Sequence, residues 1–354
     1  MILYVWHYLQ GSYFKVAVID YATSVIWVKR FNDAGEFEIY LPASTELLEL
    51  FTDQTIITRD DEETVMIFEK IKLTTDDENG DYLTTSGRSI ESIIGRRIIS
   101  KQTNFNGKAE RCIRKLMEEN VISPSDGNRK IDLLELGAVQ GYTETIDKQA
   151  TGKNLLDTIK EICVSYGYGF KIRFVNGKFI FDLYKGTDRS LHQSENTHVV
   201  FSSQFENLGN TEYSYDITSF YNSAYVGGEG EGKDRVIENA SAASAVGMYR
   251  REMWVDARST SSNTEESTLT PKQYAALLVQ QGNEELQNAK ETKEFSGELL
   301  DINQYVYGKD YQLGDKVSVV NEYGISGTAT VTEITEVEDE NGYKITPTFS
   351  EWSE

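Results

Sequence analysis

FSGELLDINQYVYGKDYQLGDKVSVVNEYGISGTATVTEITEVEDENGYKITPTF, residues 295–349, decides the fold class. Residues 295–302 read as a short apolar strand. Leu313-Gly314-Asp315 turns into Lys316-Val317-Ser318-Val319-Val320, and 325–337 alternates before an Asn341-Gly342 turn and a return strand over 343–349. Short strands at this spacing, punctuated by Gly and Asn, predict a small barrel or sandwich rather than a βαβ fold.

Upstream of that stretch, Thr270-Pro271 predicts a helix with Thr as cap and Pro at its first position, running to about residue 290. Strands resume at 199 and continue through 211–226, a Tyr/Thr/Ser-rich run, and 246–256; the polar tract 259–268 is low in complexity. Together these predict a barrel-like β domain over 191–354 with a helix inserted near 271–290.

The N-terminal residues 1–98 predict a second barrel-like β domain, with strands over 2–9, 14–19, 24–30, 36–41, 55–59, 65–74 and 81–86. Phe37, Ile39 and Leu41 alternate with Glu36, Glu38 and Tyr40, the period of a half-buried strand. The nearly all-apolar start Ile2-Leu3-Tyr4-Val5-Trp6 belongs in a central strand or a covered edge, since an exposed edge of that kind invites another chain. A short helix is expected over 89–94. The acidic run Asp76 to Asp81 does not place its glycine where a calcium loop needs it, and reads as a hairpin tip turning at Asn79-Gly80; Asp60 to Glu63 reads as a solvated turn.

Between the two β domains, residues 99–190 change period. Helices are predicted over 105–121, with Ala109, Cys112, Ile113, Leu116 and Met117 inward, and over 152–165, with Leu155, Leu156, Ile159, Ile162 and Cys163 inward. A hairpin turning at Asn176-Gly177 follows, which gives a small α+β domain. The predicted fold is therefore mainly β, two barrel-like domains with α+β insertions. No convincing internal repeat shows in the sequence, although the two β units have the character of diverged copies.

Composition narrows function. The 354 residues carry 35 Lys and Arg against 57 Asp and Glu, a net charge of −22, and residues 281–354 alone carry 5 against 16. Such a chain does not hold a nucleic-acid backbone, which requires neutralised phosphates. Two cysteines are too few for a disulfide framework and read as buried free thiols. No apolar run reaches membrane-spanning length, and the N-terminus reads as a strand with no secretion signal, so neither membrane insertion nor export is expected.

Chemistry-bearing motifs are weak. Gly227 to Lys233 meets the G-x-x-x-x-G-K pattern, but Asp234 stands where magnesium binding needs Ser or Thr, and Glu229 and Glu231 would put carboxylates into the phosphate cradle. Three scattered histidines make no zinc set, and no nucleophile elbow is present. Catalytic, cofactor and metal residues are all expected to be none. Trp254, Asp256 and Arg258 read as a strand that packs and pairs at an interface.

The order Tyr307-Gly308-Lys309-Asp310-Tyr311-x-Leu313-Gly314-Asp315-x-Val317, then a Gly-bearing turn, a Thr/Val/Ile strand and Lys344-Ile345-x-Pro347-x-Phe349 resembles the C-terminus of phage and prophage tail proteins, the tail-tip or baseplate-hub proteins of long-tailed bacteriophages. The block Arg251 to Arg258 is similar to the strand before the long helix in those proteins. The resemblance implies a non-enzymatic structural subunit, made in the host cytoplasm and sited in the virion tail. Two tube-like barrels per chain would assemble as a homotrimer into a six-barrel ring that joins the tail tube to the tip. Its implied partners are itself, a tail-tube or distal tail protein, and a tip, spike or fibre protein. Known members often extend C-terminally into peptidase or fibre domains; ending at Glu354, this chain reads as a pure hub. DNA would pass through without specific binding, so the channel wall should be acidic or neutral; Asp315, Glu322, Glu333 and Glu336 are the candidate wall residues, with Glu338 to Glu340 assigned rather to a solvated hairpin tip. Two other readings compete: a carbohydrate-binding or glycan-degrading protein using its 21 Tyr and 4 Trp as stacking platforms, and the hub of a contractile injection machine.

Overall fold

A computed structural model describes residues 1–60, 63–76, 80–263, 268–300 and 304–353. Asp61 and Glu62 of the acidic turn, the Asn79 position of the expected Asn-Gly turn, residues 264–267 of the polar tract and the end of the 295–302 strand lie outside the described residues.

The N-terminal part contains β1 (Leu3–Leu9), β2 (Ser12–Ile19), β3 (Ser24–Arg30), β4 (Glu36–Pro42), α1 (Thr45–Leu50), β5 (Ile56–Arg59), β6 (Val65–Thr74) and β7 (Tyr82–Ser89). A middle part follows with β8 (Thr103–Lys108), α2 (Ala109–Met117), β9 (Leu134–Leu136), β10 (Thr145–Ala150), α3 (Leu155–Tyr166), β11 (Gly169–Val175) and β12 (Lys178–Tyr184). The C-terminal part holds β13 (Val200–Ser202), β14 (Leu208–Asp216), β15 (Ser223–Gly227), β16 (Ile237–Ser241), β17 (Glu252–Asp256), α4 (Pro271–Asn288), β18 (Thr292–Leu299), β19 (Lys316–Val320), β20 (Ser326–Asp339) and β21 (Gly342–Ser353). The chain is mainly β, and no described helix is long and apolar enough to cross a membrane.

One large sheet runs β14-β18-β21-β20-β3-β4-β7-β6-β5-β1-β2, with β19 on the first half of β20 and β13 beside β19. Among the described residues no ladder joins β13 to β14 or β2 to β3, so neither half closes into a barrel. The order holds a repeat that the sequence hides. β1, β3, β4, β5, β6 and β7 occupy the places that β13, β14, β18, β19, β20 and β21 occupy in the second half, in the same chain order. Their pairings match in direction, except that β1 meets β5 antiparallel where β13 meets β19 parallel. β2 is an addition to the first copy. It, and not the apolar β1, is the outermost strand, and Phe14, Val16 and Val18 on it are exposed.

Alternation builds an apolar core in each half of the large sheet. Trp27, Phe37, Ile39 and Leu83 fill the first half, and Phe201, Phe295, Tyr311 and Phe349 the second. A third core joins α2, α3 and the β11–β12 hairpin to Ile56, Val65 and Ile67 of the N-terminal sheet. Cys112 and Cys163 lie in it as free thiols, and burial pushes the Cys112 thiol up to about 12. Phe31 is where the parts meet. Its N–H donates to Thr332, its carbonyl accepts from Phe170, and its ring lies against Gly169 and Gly314. Gly314 has φ +88°, and a Cβ there would sit 2.3 Å from that ring, so only glycine fits.

One expected element differs. The helix expected over 105–121 starts at Ala109, because 103–108 is drawn into a ladder with β10, Phe105 opposite Lys148. The helix near 271–290 does form, with Thr270 and Gln273 closing a reciprocal capping box. It covers no barrel strand, however. α4 packs on a separate sheet, β16-β15-β17, through Tyr274 and Leu278.

Candidate functional site

In the large sheet, side chains of one parity fill the two sheet cores, and those of the other form an outward face, except at β5 and the start of β6, where Ile56, Val65 and Ile67 are covered by the middle part. Register carries this face from strand to strand: Glu212 lies opposite Ser296, Ser296 opposite Thr348, Thr348 opposite Glu333, and Glu333 opposite Arg30. The same face continues through Glu36, Arg88, Glu38 and Ser86. Hydroxyls and carboxylates dominate it, with Glu294 and Glu298 completing the C-terminal half.

The two arginines on this face are neutralised in place. Arg30 donates to Glu333 (2.6 Å) and Glu36 (2.9 Å), and Arg88 grips Glu69 with two hydrogen bonds of 2.8 and 2.6 Å. Glu38, Glu212 and Glu294 have no ion pair among the described residues and are exposed. Lys70 and Lys72 stand exposed at one border, on the outer half of β6, while Glu212 and Asp216 stand at the other, on β14. Such a surface presents surplus negative charge to solvent and has little with which to hold a phosphate.

The acids chosen from sequence separate. Glu333 lies on this face. Glu336 does not: three residues further along the same strand it points to the opposite side, where only 2% of it is exposed. There it sits between Lys29 and Arg59 and accepts from the Tyr343 hydroxyl at 2.8 Å. Burial raises its pKa, but the two cations outweigh this and hold it below the ordinary carboxylate value. Asp315 is also internal, accepting from Thr187 (2.7 Å), Arg189 (2.8 Å) and Gln312 (3.0 Å), so it clamps the 312–315 turn. Neither carboxylate is available to a solvent-filled passage, which corrects the expectation for both. Glu322 is in the turn after β19 and accepts from Thr211 at 2.6 Å. Glu338 pairs with the N-terminal amine.

Trp254, Asp256 and Arg258 are brought together, but on the separate sheet and away from the acidic face. The indole lies across Gly227, where a Cβ would stand 2.3 Å from it, and the Arg235 guanidinium is 5.1 Å from the ring centre. Asp256 takes hydrogen bonds from Arg258 (3.0 Å) and Arg235 (2.8 Å), and the Arg258 bond first of all lowers its pKa to about 2. In the Gly227 to Lys233 loop, Glu229 accepts from Ser261 and Ser262, so its carboxylate is engaged where a phosphate would have to lie.

Glu36, Glu38, Glu212 and Glu294 were not singled out by sequence reasoning. The signal was present in the alternation Glu36-Phe37-Glu38-Ile39, in which the acids mark the non-core side.

A family model described as "Siphovirus ReqiPepy6 Gp37-like protein" matches residues 2–349. No curated protein matches. Among solved structures, the chain is similar to a tail protein from Neisseria meningitidis at 14% identity and TM-score 0.57, covering 99% of this chain and 96% of that one. It is equally similar to a 43 kDa tail protein of prophage MuSo2 from Shewanella oneidensis, at 13% identity and TM-score 0.57, over 99% and 98% of the two chains. A prophage tail protein from Listeria monocytogenes gives 11% identity and TM-score 0.50, over 98% and 94%.

Proposed function

Because the chain belongs to the Siphovirus ReqiPepy6 Gp37-like family, a siphovirus tail-protein family, we propose that it forms the hub ring joining the tail tube to the tip or spike. Three copies would place six barrel-like halves around an axis, with residues 1–98 and 191–354 as ring formers and 99–190 at the periphery. The observation that carries this reading is the outward face: one hydroxyl-rich, acid-surplus surface continuous across strands of both halves. Turned toward an axis, it makes a passage whose wall repels the phosphates of moving DNA and offers few places to hold them. Tail-tube or distal tail proteins would dock above, and tip, spike or fibre proteins below. The exposed Trp254 face, with Asp256 and Arg258, is proposed as a contact for one of these partners, since Trp, Tyr and Arg are the side chains that anchor interfaces. The proposed role is structural, in the virion tail, after synthesis in the host cytoplasm.

Mass in solution combined with particle imaging tests the ring. A closed threefold ring with an open axis is expected at high protein concentration or beside a tail partner. A twofold dimer in the assembled particle, or an axis lined with unpaired Lys and Arg, would defeat the reading.

A further inference from the structure

Among the described residues, one strand ladder joins the two halves of the large sheet. The first half of β20 pairs with β19, and its outer half, Glu333 to Glu338, pairs with β3. In the first half of the chain, β6 takes the place of β20. It pairs with β5 only over Val65 to Ile67, and on that side its outer half has no strand partner among the described residues. β14 takes the place of β3, and its side away from β18 has no strand partner among them either. One copy of the joint is therefore made within the chain, and the two strands that would make the other lie open.

We infer that the outer half of β6 pairs with β14 of a second copy of this chain, which rests on the ring reading for the number of copies. The register follows from landmarks shared by both halves. A bulge between Val331 and Glu333 corresponds to one between Phe68 and Lys70, which sets Lys70 in the place of Glu333 and Leu73 in that of Glu336. Phe37, opposite Trp27, corresponds to Phe295, opposite Tyr213. Transferring the β20–β3 register places Lys70 opposite Asp216, Ile71 opposite Tyr215, Lys72 opposite Ser214, and Leu73 opposite Tyr213.

The chemistry of these pairs is complementary. Glu333–Arg30 within the chain becomes Lys70–Asp216 between chains, an ion pair of reversed polarity, with Lys72 near Glu212. Leu73 (47% exposed), Tyr213 (37%) and Tyr215 (51%) are large apolar side chains in contact with water in the single chain. The pairing covers them, and it completes two sheet edges that would otherwise template association with other chains. A contact between unlike edges is head-to-tail, so it makes a ring if the rotation closes.

Cysteine trapping and charge exchange test the joint on the full chain, whose own two thiols are buried. Mixing the single variants Leu73→Cys and Tyr213→Cys under mild oxidation should give a covalent dimer, and the double variant should give covalent rings. Each single variant alone should give neither. Lys70→Glu should weaken self-association at least tenfold, and adding Asp216→Lys should restore it. A ring seen by mass and imaging with no Leu73–Tyr213 disulfide and no effect of Lys70→Glu would overturn the joint and leave the ring reading standing. A Leu73–Tyr213 disulfide found in open chains and never in a closed ring would support the joint and defeat the ring. Absence of the disulfide up to the solubility limit, together with a monomer at every concentration, would overturn both.

Discussion

Glu336 and Glu91 are both buried carboxyls, yet their surroundings drive them in opposite directions. Glu336 bridges two cations, and Glu336→Ala takes that shared carboxylate away from the buried Lys29 and Arg59, a change expected to lower stability by about 3 kcal/mol in denaturant titration. Because its folded pKa lies below the ordinary 4.5, its contribution is complete above that pH and is lost as pH falls through the folded value. The stability gap between the protein and Glu336→Gln should therefore narrow in acid. Glu91 accepts a hydrogen bond from the Ile172 N–H at 2.5 Å, and its Oε2 has no partner among the described residues. Burial raises its pKa, so the folded state holds the proton more tightly than the unfolded chain and loses stability as pH rises above 4.5. Glu91→Gln escapes this loss. Its melting temperature should exceed that of the unaltered protein by a margin that grows with pH, and a margin that stays flat would show that Glu91 is ionised at no cost.

At the scale of elements, local signals were legible and remote pairings were not. Thr270-Pro271 announced α4 because a cap and a first-turn proline act on adjacent residues. Asn341-Gly342 announced the β20–β21 hairpin for the same reason, although its two turn residues are Glu340 and Asn341, and Gly342 already pairs with Asp339. The strand over 103–108 stayed hidden behind helical spacing because its partner, β10, begins at Thr145. Nor did the sequence reveal what α4 covers. The helix comes near its sheet at Gly282, where a Cβ would stand 2.7 Å from Val226 and 2.8 Å from Ala240. Gly282→Ala should lift the helix from β15 and β16 at a cost of about 1–3 kcal/mol. Hydrogen exchange should quicken in β15 and β16 and stay unchanged in β3 and β20; a uniform change would show that α4 is not a separate unit of stability.

For the whole molecule, the repeat was illegible because equivalent places carry opposite chemistry. Glu333 answers to Lys70 and Glu336 to Leu73, so aligning residues by type conceals what strand order reveals. The acidic face was half legible: alternation marked Glu36 and Glu38, whereas choosing acids by charge density alone also collected Asp315 and Glu336, which serve inside the chain. If the face lines a passage, Glu36→Lys with Glu38→Lys should make assembled rings retain duplex DNA on a filter. The logarithm of that affinity should fall with the logarithm of salt concentration, at a slope of about −0.9 for each phosphate neutralised. Equal passage of DNA through the altered and unaltered rings would remove this face from the wall.

Phe31 has a mechanical meaning. Its backbone is bonded on one side to β20 and on the other to β11, and its ring is wedged between two glycines. A displacement of the α2–α3 unit is therefore passed to the β20–β3 ladder through one residue bonded on both sides, with no intervening loop to absorb it. Phe31 is in this sense a fulcrum between the two.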